Sequence, residues 1–160
     1  MAQEETRKEK LARLLAEGKL KRERNKMIEK YTDDLKYPLT IDKFLDPTYS
    51  GTIVSSVYRK ISTLPEQRFA EYQNALTALK GMKERSSALR ERTVIFYYLG
   101  LLLKEVGGIV LPLQDVWDIL ENPYKKKEID IMIVAIDFSF GISLDIDVEE
   151  YSCSVTSWGL

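Results

Sequence analysis

Asp145, Asp147 and Glu149 occupy alternate positions. On an extended chain this spacing puts three carboxylates on one side, a donor set suited to a hard cation. The same spacing also marks the solvated side of a half-buried sheet, and that commoner origin is the one expected here. Little else in the chain could make or break a bond. There is no histidine, which excludes Ser-His and Cys-His nucleophiles and imidazole metal ligands. Gly107-Gly108 stands alone and reads as a helix stop, and neither a glycine-rich phosphate loop nor a dinucleotide fingerprint occurs. Cys153, the single cysteine, excludes an intrachain disulfide and a cysteine-built zinc site, and reads as a small core residue. No catalytic residue, metal, cofactor or small-molecule substrate is therefore expected.

The cations are more telling. Residues 1–30 hold ten Lys/Arg against six Asp/Glu, while the other 130 hold 14 against 19. Beyond Lys127 the charged residues are all acidic: Glu128, Asp130, Asp137, Asp145, Asp147, Glu149 and Glu150. A basic arm on an acidic body points to a polyanion partner or to self-association. On a helical wheel of about 100° per residue, Leu11, Leu14 and Leu15 form one small apolar stripe. Leu20, Met27, Ile28 and Tyr31 form another on nearly the opposite side. The change falls at Gly18, a residue that weakens helices, so the arm either kinks there or touches two different surfaces with its two halves. Lys19, Arg22, Lys26 and Lys30 line the side away from Leu20, Met27 and Ile28, and are the foremost phosphate-contact candidates. Arg13 and Arg24 complete the candidate nucleic-acid set. Contacts of this kind give affinity without sequence preference. No aromatic platform for stacking bases accompanies them, so duplex DNA is favoured over single strands.

The elements that must position these groups follow from periodicity. Gln3 to Tyr31 predicts one long helix. Residues 32–51, with Pro38 and Pro47 and recurrent apolar side chains, predict an extended strap lying on a surface, such as that of a neighbouring subunit. Ile53, Val54, Val57, Tyr58 and Ile61 have helical spacing. Thr63-Leu64-Pro65-Glu66 predicts the start of a helix whose inward side is Phe69, Tyr72, Leu76 and Leu79. A second, diluted basic patch follows at Lys80, Lys83, Arg85, Arg90 and Arg92. Leu89 to Val106 is apolar nearly all round and predicts a central buried helix. Pro112 opens a short helix bearing Leu113, Val116, Trp117, Ile119 and Leu120, which Asn122-Pro123 ends. From Ile136 to Val148 the period becomes two, predicting a continuous or bulged strand, or strands joined by a three-residue loop near Gly141. A tight turn at Glu149-Glu150 then pairs Val148 with Tyr151, Ile146 with Cys153 and Leu144 with Val155. The expected fold is mainly α: a basic helical arm (1–31), a strap (32–51), a small helical bundle (52–124) and a C-terminal β-hairpin segment (125–160). No stretch is long and apolar enough to span a membrane, and the charged N-terminus predicts no secretory leader.

The arm Arg7–Lys30 followed by a helical region from Ile53 to Leu120 resembles the major capsid proteins of filamentous archaeal viruses, whose arms wrap double-stranded DNA. The resemblance is one of architecture and composition over about two-thirds of the chain. It implies a structural protein of the virion that assembles with itself or with a related capsid subunit into a helical filament, with the arm's basic stripe facing DNA and without enzyme activity. The C-terminal β segment departs from that mostly helical pattern and implies an outer decoration. The other expectation is a cytoplasmic, non-enzymatic α+β adaptor whose basic arm binds an acidic protein.

Overall fold

A computed structural model describes residues 5–98, 107–121 and 128–160, except the side chains of Tyr31 and Asp34. Four helices are described: α1 (Arg7–Leu35), α2 (Pro47–Ile61), α3 (Tyr72–Arg85) and α4 (Leu113–Glu121). The strands are β1 (Gln67–Phe69), β2 (Thr93–Tyr98), β3 (Ile109–Pro112), β4 (Ile131–Ala135), β5 (Gly141–Asp147) and β6 (Ser152–Trp158). They form one antiparallel sheet in the order β1-β6-β5-β4-β2-β3. This α+β architecture overturns the expected mainly helical fold with a single hairpin. No described helix is long and apolar enough to cross a membrane.

The largest correction is β2. Thr93-Val-Ile-Phe-Tyr-Tyr98 was expected inside a helix, but it is a strand buried on both faces from Val94 to Tyr98. A strand covered on both sides loses its alternation and looks like a buried helix, although β-branched and aromatic residues favour the strand. The rest of that expected helix, residues 99–106, lies outside the described residues, as does Asn122-Pro123. The start signal at Thr63 also fails. Gln67–Phe69 pairs with β6, and the helix begins only at Tyr72, with Tyr72 and Leu79 buried. The expected strand from Ile136 breaks as well. Residues 136–139 turn between β4 and β5, and Ala135 N donates to Phe140 O at 3.0 Å. In the last hairpin, Leu144 faces Val155 and Ile146 faces Cys153, the register the alternation predicts. Its turn is wider than Glu149-Glu150, spanning residues 148–151.

Two apolar layers result. Val94, Phe96, Ile133, Ala135, Ile142 and Leu144 face α3 and α4, where Leu79 and Trp117 are fully buried. The second half of α1 joins this cluster through Met27 and Leu35. Ile95, Tyr97, Met132 and Val134 face Ile53 and Val57 of α2. Asp46 caps α2, accepting from Tyr49 N at 3.0 Å, and Pro47 occupies its first turn. The strap is shorter than expected, because α1 continues to Leu35 and α2 begins at Pro47. It lies on its own sheet: Phe44 bridges Ile109, and Leu45 N donates to Gly108 O at 2.8 Å. It thereby covers the β3 edge, while the opposite edge, β1, has only three residues; both devices blunt edge pairing. Gly107 enables the contact. It has φ +74°, and a Cβ there would lie 2.0 Å from Leu45 O.

Candidate functional site

α1 begins with a reciprocal cap. Thr6 Oγ1 accepts from Glu9 N at 3.2 Å, and Thr6 N donates to Glu9 at 2.8 Å. These bonds hold the Glu9 carboxyl below its usual range. From there the helix runs unbroken to Leu35, about 43 Å at 1.5 Å per residue. Gly18 does not interrupt it: that residue lies within the helix, and a Cβ there would meet nothing closer than Arg22 Nη1 at 4.0 Å. The two halves differ in burial. Apart from half-buried Gly18, every residue from 7 to 19 is exposed, including Leu11, Leu14 and Leu15. Further along, Met27 and Leu35 are buried in the core cluster, and Leu20 and Ile28 are half-buried.

The candidate cations divide accordingly. Lys19, Arg22 and Lys26 are exposed on the side turned away from Met27 and Leu35. Lys26 stands 3.9 Å from Glu23. Lys30 is half-buried, at the border of that side. Arg13 is engaged within the arm by Glu5 and Glu17, each at 3.0 Å, and these bonds push its pKa up. Arg24 is turned toward the body. Its Nη2 donates to Leu45 O at 3.2 Å, and its Nε is buried without an acceptor among the described residues. Arg24 thus ties α1 to the strap. The second basic patch is partly consumed too, since Lys83 pairs with Glu121 at 2.9 Å and Arg92 with Asp137 at 2.8 Å.

A second feature lies on the sheet. On the face that carries α2, Tyr58 and Lys60 of that helix reach Asp145 of β5 and the Trp158 ring of β6. Along β5, β6 and β1, cross-strand register places Ser143 beside Thr156, Asp145 beside Ser154, Asp147 beside Ser152, and Arg68 beside Ser154. Glu66, Arg68, Asp145, Asp147, Val148, Ser152 and Ser154 line a depression of about 330 Å³. Asp145 accepts from Ser143 Oγ at 2.7 Å and from the Tyr58 hydroxyl at 3.3 Å. Burial raises its pKa, and burial together with Asp145 pushes Tyr58 up to about 12. Asp145, Asp147 and Glu149, whose spacing could have suited a cation, are not brought together as a ligand set. Asp147 Oδ1 accepts from Glu149 N and Glu150 N, Glu149 sits in the turn, and no group of three potential ligands occurs among the described residues. Ser143 is fully buried, so its bond to Asp145 braces the sheet. Burial raises the Cys153 thiol pKa, in keeping with a core residue. Glu66, Arg68 and Tyr58 escaped the sequence reading because only strand pairing brings them to Asp145.

No protein-family model, curated protein or solved structure matches the chain.

Proposed function

We propose that this chain is a non-enzymatic binding protein whose first helix holds duplex DNA through phosphate contacts. The observation carrying the reading is the exposure of Lys19, Arg22 and Lys26 together on the side of α1 that faces away from the body. These three residues span about 10 Å of one helix side. Cations without strong partners there can displace condensed counterions, giving salt-dependent affinity without sequence preference. The filament-forming nucleoprotein of a virion is the larger form of this proposal. Its bundle half no longer supports it, since β2 replaces the central helix, so the arm alone argues for DNA. The α+β body favours the second reading, an adaptor whose arm binds an acidic protein. Electrophoretic mobility shift with unrelated duplex sequences separates the two. Wild-type protein retards each duplex equally at low salt under the DNA reading, whereas no shift at low salt refutes it and leaves the adaptor.

A further inference from the structure

Two exposed apolar patches on this chain carry opposite charge. On α1, Leu11, Leu14 and Leu15 are 58%, 49% and 63% exposed. They sit among Arg7, Lys8 and Lys10, all exposed. In the turn between β5 and β6, Val148 and Tyr151 are 76% and 87% exposed, the highest values among the described large apolar side chains. Their neighbours Glu149 and Glu150 are exposed, and the lining of the adjoining depression adds Glu66, Asp145 and Asp147, with Arg68 the one cation there among the described residues. Arg68 pairs with Glu66 and Glu150, and Glu149 has no ion-pair partner among the described residues.

Single exposed apolar residues are normal, but clustered ones mark contact surfaces. The turn is also preformed. Asp147 Oδ1 accepts from Glu149 N at 3.1 Å and from Glu150 N at 3.0 Å. Tyr151 has φ +51°, a conformation an aromatic residue seldom adopts, and its ring is held in water.

We infer that the leucine stripe of α1 docks on the β5–β6 turn of a second copy of this chain. Leu11, Leu14 and Leu15 cover Val148 and Tyr151, while Arg7, Lys8 and Lys10 face Glu149 and the acidic rim. Matched apolar centres remove surface from water, and complementary charge steers and registers the contact. Because the two patches differ, the contact is head-to-tail: each copy offers its arm to one neighbour and its turn to another. The contact does not depend on DNA, since Lys19, Arg22 and Lys26 lie beyond Gly18 and stay open.

Sedimentation velocity of the full chain tests this. The mean mass rises with concentration above the 18.5 kDa monomer, and less so at high salt. An arm variant (Leu11→Ser with Leu15→Ser) and a turn variant (Val148→Ser with Tyr151→Asn) each sediment as monomers, with unchanged circular dichroism. Asparagine is chosen because it tolerates positive φ. Mixed, the two variants associate with each other, because one keeps an intact turn and the other an intact arm. Wild type that stays monomeric overturns the inference, as does association surviving in either variant alone or a mixture that remains monomeric. Duplex retardation by both variants stays at the wild-type level, so its failure would bear on the DNA proposal only.

Discussion

The two halves of α1 are similar in composition yet opposite in setting. Residues 7–19 bury no side chain, whereas Met27 and Leu35 enter the core cluster and Arg24 reaches the strap. The two apolar stripes lie on opposite sides of one continuous helix. Only the second faces protein within this chain. Burial, and not amino-acid content, therefore assigns the roles: one half anchors, and the outward side of the whole helix is free to bind. Arg13 and Arg24 make the same point at single residues, because both count toward a basic arm and both are engaged locally.

The sharpest challenge to this division is a pair of leucine substitutions. Leu35 is 1% exposed, so Leu35→Ala is expected to cost about 3 kcal/mol. Leu15→Ala at an exposed site should stay within about 0.5 kcal/mol. Urea denaturation of the two variants checks this, and equal costs would erase the distinction between the halves. A smaller contrast is expected between neighbouring arginines. Arg24→Ala loses its bond to Leu45 O and the packing of its stem, and should cost about 1–2 kcal/mol. Arg22→Ala should leave the denaturation midpoint unchanged. Smallest is Gly18→Ala. Replacing glycine inside a continuous helix, with open space for the Cβ, should stabilise α1 by about 0.5–1 kcal/mol. Amide hydrogen exchange along residues 7–30 reads this directly, and faster exchange would contradict it.

Much of the local pattern was legible in the sequence. Leu113, Val116, Trp117, Ile119 and Leu120 marked α4, and the alternation from Leu144 to Val155 fixed the register of the last hairpin. The sheet as a whole was not legible, for a physical reason. β2 and β4 are central and covered on both faces, so neither displays the two-residue period by which strands are recognised. β1 is only three residues long and owes its conformation to pairing with β6. At the candidate site, the wheel located Lys19, Arg22 and Lys26 correctly on an outward side. It could not show that Arg24 is taken by a backbone carbonyl 21 residues away, because that partner exists only once the strap has folded.

The central claim, that the outward cations of α1 bind duplex DNA, is tested most directly by fluorescence anisotropy across a salt series. Wild type is compared with the triple variant Lys19→Ala, Arg22→Ala and Lys26→Ala. If the three side chains each neutralise one phosphate, the slope of log K against log salt becomes shallower by about 0.9 for each cation removed, with stability unchanged. An identical slope and affinity in the two proteins would contradict the account.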